Sequence, residues 1–312
     1  MNRILFLLTF CIACGGSSIA LAAEAYMRVI DTGRGWCVVA RTPAGRVFLY
    51  EGGDRTRPCI EAVREIATGG VIDLLVVSRE NDRRLDDLPD ILEEFEVGDV
   101  VYNQPALTAL LAPAAERLWL VGDAALQPGR VFDLGDARVV YIAGWREGQA
   151  ARSEGEARPS QERSLSTVTV QFQFGAHSAL ISRASAGLSG GSERPCRYDQ
   201  RIMVNNAANV AIDSDVLVIG RALLSECFLA ATSPAFVVAG DALAGPLLRA
   251  RLREEQVFVT SFTECFQLGF VWDETYMQSE CRDYPGDDDV EIWMPSDGAL
   301  RIAYKFPFQQ RR

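Results

Sequence analysis

Hydrophobic and polar positions along the chain follow two alternating patterns, one typical of strands and the other of helices. The segment IDLLVVS, residues 72–78, is a short and nearly continuous apolar run, which predicts a buried strand. The segment before it, RPCIEAVREIATGG, has apolar residues at helical spacing and ends in two glycines, which predicts a helix that stops there. Repeated alternation of this kind predicts an α/β layered fold.

The same patterns continue on both sides of this unit. They predict three strands over 26–53, helices over 85–98 and 105–116, and strands over 99–103 and 117–122. A strand-rich block over 130–184 follows, interrupted by a polar stretch, 146–164, that predicts an exposed loop. Strands and helices alternate again over 214–261, with helices expected over 221–231 and 246–256, and residues 289–305 predict a hairpin that turns at Ser296, Asp297 and Gly298.

This order of blocks predicts how the elements are layered. The strand-rich block lies between two αβ blocks, which favours two facing sheets with helices outside, an αββα sandwich. No linker-like segment separates two halves of the chain, so we expect a single domain over residues 23–312.

Charge limits the classes of partner. The formal net charge is −11 at pH 7, and no basic stripe overrides it. An acidic surface repels nucleic acid and anionic lipid. We therefore expect no nucleic-acid partner and no membrane-surface partner.

The first 22 residues resemble a secretory signal peptide. Arg3 supplies a positive charge, an apolar run follows it, and small residues precede a cleavage point after Ala22. Lipoprotein processing at Cys14 is the less favoured alternative. The apolar run is too short for a membrane span, and no second run is long enough. We therefore expect a periplasmic or secreted protein.

Six cysteines remain after residue 22, and an even number in an exported chain favours disulfides over free thiols. A zinc cluster is the competing interpretation, but it would prefer a C-x-x-C spacing, which this part of the chain lacks. Sequence alone leaves the connectivity open. Nearness along the chain predicts the pairs Cys37–Cys59, Cys196–Cys227 and Cys265–Cys281.

Several short motifs, in order, resemble the metallo-β-lactamase-fold hydrolases, in particular their ComEC-like branch and its secreted relatives. The segment from Met27 to Gly53 resembles the opening of that family, with turns at Asp31-Thr32-Gly33-Arg34-Gly35 and at Glu51-Gly52-Gly53. Later segments, FGAHSALIS, SDVLVIG and PAFVVAGDALAGP, resemble the family in the same order. The resemblance implies a metallo-β-lactamase-like αββα four-layer sandwich and metal-dependent hydrolysis of phosphodiester, ester or amide bonds.

The match fails where the family binds metal. Its first metal loop has the pattern S-H-x-D-x-D-H, and Ser78 matches the serine. The ligand positions of the family then correspond to residues that, apart from Asn81 and Asp241, carry no donor for a metal: Arg79, Asn81, Arg83, Arg84, Ala184, Arg221 or Ala222, and Asp241. A guanidinium has no lone pair to donate and carries the wrong charge. We therefore predict no metal at these positions.

The histidine count agrees with this prediction. The chain has one histidine, His177, whereas a zinc hydrolase site needs two or three imidazoles or thiolates in their place. His177 lies in the segment GAHSA, which predicts a hairpin turn, and we expect a solvated turn residue rather than a general base or a lone ligand.

Three arginines in the former metal loop, Arg79, Arg83 and Arg84, allow two interpretations. They can pair with the neighbouring acids Glu80, Asp82, Asp86 and Asp87, which is the favoured one, or with Arg221 they can present an anion-binding clamp. Calcium binding by the acids is disfavoured because their spacing does not match an EF-hand.

Two functions follow as hypotheses. The first is an exported pseudo-hydrolase without catalytic residues or a cofactor, which binds a small anionic ligand or another protein. The alternative is a hydrolase with a relocated divalent-metal site. The resemblance implies zinc or manganese as the metal, whereas a site built from carboxylates and amides alone would bind magnesium, manganese or calcium rather than zinc.

Overall fold

The structure, a computed structural model, describes residues 23–32, 37–53, 57–78, 85, 87–144, 168–182, 209–220, 226–239, 252–253, 256–260 and 289–306. Within these ranges the chain forms two mixed β-sheets and a set of short helices. The helices are α1 (Pro58–Ile66), α2 (Leu88–Glu94), a 3-10 turn (Pro105–Leu107), α3 (Thr108–Leu111) and α4 (Glu226–Thr232).

The first sheet has eight strands in the order β15-β14-β1-β2-β3-β4-β5-β6. Its strands are β1 (Glu24–Ile30), β2 (Cys37–Arg41), β3 (Val47–Tyr50), β4 (Val71–Val77), β5 (Glu96–Tyr102), β6 (Ala115–Leu120), β14 (Val290–Pro295) and β15 (Arg301–Tyr304). The pairs from β15 to β3 are antiparallel, and the pairs from β3 to β6 are parallel. The predicted C-terminal hairpin is therefore present, and β14 joins the N-terminal strand.

The second sheet has seven strands in the order β13-β12-β11-β10-β9-β8-β7. Its strands are β7 (Val131–Asp133), β8 (Ala137–Gly144), β9 (Val168–Phe174), β10 (His177–Ser182), β11 (Val216–Ile219), β12 (Phe236–Ala239) and β13 (Val257–Val259). The pairs from β7 to β10 are antiparallel and the pairs from β10 to β13 are parallel.

Apolar side chains from both sheets form one core between them. Phe48 on β3 stacks on Phe172 on β9, with ring centroids 6.1 Å apart, and both are fully buried. A second cluster lies on the other face of the first sheet, where side chains such as Leu49 pack with Ile60 and Val63 of α1. Because each strand places alternate residues on opposite faces, both faces of this sheet are covered.

The second sheet is covered in the same way. Val216 and Val218 of β11 belong to the core between the sheets, while Leu217 between them points away and is also buried. The connection from β11 to its parallel neighbour β12 carries α4, whose Phe228 is fully buried. A crossover of this kind packs its helix against the sheet. Helices therefore flank two facing sheets, and the predicted α/β class with αββα layers is confirmed.

Two predicted helices are wrong in extent. Helix α2 ends at Glu94, since Phe95 has extended dihedral angles and Val97 pairs with Ile72 of β4. The segment 105–116 forms only a 3-10 turn and one turn of helix, after which Ala115 pairs with Val97 in β6. Strand pairing outweighs the local helical pattern in both places. The predicted loop over 146–164 and most of the predicted helix over 246–256 lie outside the described residues.

The predicted disulfide between Cys37 and Cys59 is confirmed, with 5.8 Å between the Cα atoms. It fastens the start of β2 to the first turn of α1. Cys227 is also disulfide-bonded, but its partner lies outside the described residues, so the other two pairs stay predictions.

Strand β15 of the first sheet contacts strand β13 of the second sheet, where each is the outermost strand of its sheet. The Tyr304 hydroxyl accepts a hydrogen bond from the Val259 backbone N–H at 2.9 Å, and the Phe258 and Tyr304 rings lie 5.3 Å apart. In the part of the chain that the structure describes, no helix is long and apolar enough to cross a membrane.

Candidate functional site

The parallel strands of the first sheet end at one edge, and a polar residue follows three of the four ends, while Val121 follows β6. Glu51 follows β3, Ser78 follows β4 and Asn103 follows β5. All three side chains are fully buried. The Glu51 N–H donates to the Val76 carbonyl at 2.8 Å, which holds the first two of these ends side by side.

The parallel strands of the second sheet also end together. The N–H of Gly220, after β11, donates to the carbonyl of Ser182 at the end of β10 at 3.2 Å. The N–H of Thr260, after β13, donates to Ala239 at the end of β12 at 3.0 Å. Thr169 pairs with Ser182 across the β9–β10 ladder, and their buried hydroxyls lie 2.9 Å apart.

One hydrogen bond shows that these two sets of ends meet. The Tyr50 hydroxyl, at the end of β3, donates to the carbonyl of Val168, the residue before Thr169. We call the resulting rim the carboxyl edge, defined by Glu51, Ser78, Asn103, Ser182, Gly220 and Thr260. Carboxyl ends of parallel strands are a favoured place for ligand sites in α/β folds, so this edge is the candidate site.

Ser78 and Glu51 form the polar centre of the described part of this edge. The Ser78 hydroxyl donates to Glu51 Oε1, and neither side chain is exposed. Glu51 also has a left-handed backbone, with φ of 65°, in the turn that leads to Gly53. Ser78 is therefore held as a hydrogen-bond donor by a carboxylate, and no described histidine is near enough to activate it as a nucleophile.

A second buried carboxyl lies next to the same edge. Asp289 precedes β14, is 4% exposed, and accepts a hydrogen bond from the Asp31 N–H at 2.9 Å. Burial raises the pKa of Asp289 to about 6, against the opposing effects of the Asp31 N–H and of the Arg28 and Lys305 cations. This carboxyl joins the turn after β1 to the start of β14.

The residues predicted from the resemblance lie just beyond the described strand ends. Arg79, Asn81, Arg83 and Arg84 follow Ser78; Ala184 follows Ser182; Arg221 and Ala222 follow Gly220; and Asp241 follows Ala239 by two positions. All eight positions are outside the described residues, so their side chains stay predictions. The strand ends that precede them do lie along the carboxyl edge.

His177 lies at the other end of the second sheet. It is the first residue of β10, whereas Ser182 is the last, so about 16 Å of extended strand separate the two. The prediction of a solvated turn residue is wrong, since only 13% of the side chain is exposed. Its Nε2 lies 3.1 Å from the Gly298 carbonyl and its Nδ1 lies 3.7 Å from Asp215 Oδ2.

A divalent metal of the kind implied by the resemblance does not fit the described donors. The one imidazole of the chain is bound at the opposite end of the sheet. Within the described ranges, no group of three His, Cys, Asp or Glu side chains could hold a metal ion. The described part of the carboxyl edge thus carries hydroxyl and amide groups, which donate and accept hydrogen bonds, and carboxylates, which accept them.

Sequence reasoning missed Glu51, Asp289 and the Thr169–Ser182 pair as members of this edge. The available signal was a polar residue directly after an apolar run, which is clear for Ser78 and weaker for Glu51 in its turn. Asp87, a member of the predicted charge network of the loop, is 2% exposed and lies directly before α2. Its pairing with the loop arginines stays a prediction, because those arginines lie outside the described residues.

Solved structures of metallo-β-lactamase-fold proteins are similar to this chain. The metallo-beta-lactamase fold protein YhfI from Bacillus subtilis is 6% identical, with 69% of this chain and 85% of that chain covered and a TM-score of 0.42. A diphosphatase from the PhnP family is 12% identical, with 76% and 94% covered and a TM-score of 0.41. A metallo hydrolase from the archaeon Ignicoccus hospitalis is 9% identical, with 69% and 82% covered and a TM-score of 0.39.

No protein-family model matches the sequence, and no curated protein matches it significantly. Similarity at this level assigns no activity, metal or substrate to the chain. The fold rests instead on the strand order and register described above, while the ComEC-like branch stays a prediction.

Proposed function

We propose that this chain is an exported, disulfide-bonded protein with a metallo-β-lactamase-like fold that acts by binding rather than by metal-dependent hydrolysis. The carboxyl edge carries the binding site, and its partner is a small anionic ligand or an acidic segment of another protein. The resemblance supplies the place of the site, and Arg79, Arg83, Arg84 and Arg221 supply the positive charge.

One observation carries this proposal above the others. The chain has a single histidine, and its ring is held by Gly298 and Asp215 at the end of the second sheet opposite the carboxyl edge. A zinc hydrolase needs several imidazole or thiolate ligands at one point. The cysteines beyond residue 22 that the structure describes, Cys37, Cys59 and Cys227, are all in disulfides and therefore do not replace the imidazoles.

Elemental analysis of the full chain, purified from an exporting host without chelators, tests the loss of metal chemistry. We expect no stoichiometric zinc or manganese. Tightly bound metal at one equivalent or more would overturn the proposal in favour of the relocated hydrolase site, which would then be built from carboxylates and amides such as Asn81 and Asp241.

Titration with inorganic phosphate tests the anion site. We expect saturable binding to the wild type and a loss of affinity in an Arg83→Ala, Arg84→Ala double variant. The control is Arg138→Ala, which removes an exposed cation at the other end of the second sheet. No saturable binding, or an equal loss in the control, would remove the anionic ligand and leave a protein partner.

Mass spectrometry of the mature protein tests whether it is exported. Intact mass of the mature protein should show cleavage after Ala22, and mass under reducing and non-reducing conditions should show that the thiols are oxidised. A lipid adduct at Cys14 would replace the secreted form with a membrane-anchored one.

A further inference from the structure

The end of the second sheet that is opposite the carboxyl edge contains a cleft of about 640 Å³, well within the range of small-molecule sites. Three parts of the described chain form it: the β7–β8 turn with Asp133 and Asp136, the β9–β10 turn with Ala176 and His177, and the segment before β11 with Asp213. We call this space the amide cleft, after the two glutamines on its floor. It has no part in the function proposed above.

The floor of the amide cleft is a row of hydrogen-bonded polar side chains on the outer face of the second sheet. Gln171 and Gln173 alternate along β9 with Phe172 and Phe174 of the core, so the glutamines point to the outer face. The Arg138 Nε donates to Gln173 Oε1 at 2.6 Å, and the Gln173 amide donates in turn to Gln171 Oε1.

Gln171 is the most deeply buried of these side chains, and hydrogen bonds hold both ends of its amide group. Gln171 is 2% exposed, and its amide nitrogen donates to the Asp213 carbonyl and to the Ser214 hydroxyl, each at 2.8 Å. The amide oxygens of both glutamines thus have fixed directions, and each carbonyl oxygen has a second lone pair. A buried amide in a sheet is costly unless every hydrogen bond is made.

The walls add negative charge. The Asp133 carboxylate accepts the Gly135 N–H at 2.8 Å, and the Asp136 carboxylate accepts the Ala44 N–H at 3.1 Å. The exposed Asp213 carboxylate has no hydrogen-bond or ion-pair partner among the described residues. Arg138 is the one arginine or lysine in the described lining of the cleft.

We propose that the amide cleft binds a small organic polycation, an amine that carries several N–H donors. Three carboxylates and two side-chain amides line the cleft, so a ligand rich in N–H groups and positive charge finds acceptors on the floor, on the β7–β8 turn and on the segment before β11. An anionic ligand would meet the three carboxylates instead. Ala176 in the β9–β10 turn is small and exposed, so it leaves the adjoining space of the cleft open.

Calorimetric titration of the full chain with spermidine at low salt tests this assignment. We expect saturable one-to-one binding that weakens roughly tenfold in Asp213→Asn, because one charge-assisted contact is lost. Ala176→Trp keeps every charge but fills the cleft, and we expect it to abolish the saturable phase. Ala176 is exposed, so the larger side chain should not disturb the core.

Glu116→Gln is the matched control, because it removes one exposed carboxylate from β6 in the other sheet. We expect its spermidine affinity to equal that of the wild type. Equal weakening in Asp213→Asn and Glu116→Gln would mean general attraction to an acidic chain, and unchanged affinity in Ala176→Trp would mean binding elsewhere; either result overturns the proposal. No saturable binding to the wild type overturns it as well, and unfolding midpoints of all variants identify any that fail to fold.

Discussion

The Ser78 hydroxyl at the end of β4 donates a hydrogen bond to the Glu51 carboxylate at the end of β3, and water reaches neither side chain. A buried carboxylate depends on such donors, because in their absence its charge is not compensated. The bond therefore stabilises the carboxyl edge in addition to the backbone bond between Glu51 and Val76.

Replacing Ser78 by alanine should lower the free energy of unfolding by about 1–3 kcal/mol, the cost of removing a donor from a buried charged acceptor. Urea denaturation measures the change. Ser178→Ala is the control, since Ser178 is half-buried and its hydroxyl makes no hydrogen bond with the described residues; its effect should stay within about 0.5 kcal/mol. Equal losses would show that the Ser78–Glu51 bond contributes nothing of its own.

Asp289 should make stability depend on pH. Burial raises its pKa to about 6 in the folded protein, above the ordinary 3.8, so the folded state holds the proton more tightly than the unfolded state between these values. Stability should therefore fall as the pH rises from about 4 to 6, by at most roughly 3 kcal/mol from this group.

Asp289→Asn separates this effect from the other carboxyls. Asparagine can still accept the Asp31 N–H but carries no charge, so we expect a more stable protein near neutral pH and little difference from the wild type near pH 4. Urea midpoints at both pH values measure this. A less stable variant at neutral pH would mean that the charged hydrogen bond outweighs the cost of burial.

Gly175 joins the two sheets by a close approach. Its φ is +57°, and a Cβ added there would lie 2.9 Å from the backbone oxygen of Ser296 in the β14–β15 turn. Gly175→Ala should destabilise the protein by about 2–4 kcal/mol, through both backbone strain and this overlap. Thermal unfolding measures the loss.

Gly45→Ala isolates the backbone part of that loss. Gly45 has φ of +81° but nothing within 4 Å of an added Cβ, so we expect only about 1 kcal/mol there. If Gly175→Ala and Gly45→Ala lose the same stability, the β9–β10 turn does not contact the β14–β15 turn as described.

The Cys37–Cys59 disulfide joins two residues that are 22 positions apart in the sequence. A Cys37→Ala, Cys59→Ala variant should lose about 3 kcal/mol, as expected for a loop of this length. Reductant should destabilise the wild type by at least this amount. Any further loss that reductant causes in the double variant reports the other disulfides, including that of Cys227.

Local patterns predicted the layers of this fold because most strands are apolar runs with abrupt polar ends. They failed where a long-range partner decides the outcome. Val97 lies in a helical pattern, yet it pairs with Ile72 and Ala115 as a strand residue. No window of sequence around Val97 contains those partners.

The environment of individual side chains was harder to predict for the same reason. The carbonyl that holds His177 belongs to Gly298, 121 residues away, and the carboxyl that holds the Asp31 N–H is 258 residues away. The amide cleft was not predicted at all, because Gln171 and Gln173 resemble ordinary outward-facing strand residues in the sequence. The former metal loop was identified from the order of its motifs, while its arginines stay predictions.

The bond between Tyr304 and Val259 also bears on self-association. The Val259 amide points away from β12, because it is the neighbouring Thr260 amide that bonds Ala239, so it faces the side where a further strand would add. Tyr304 already occupies that amide. A strand of a second copy could pair with β13 only after the hydrogen bond between Val259 and Tyr304 was broken. This bond therefore opposes polymerisation through β13.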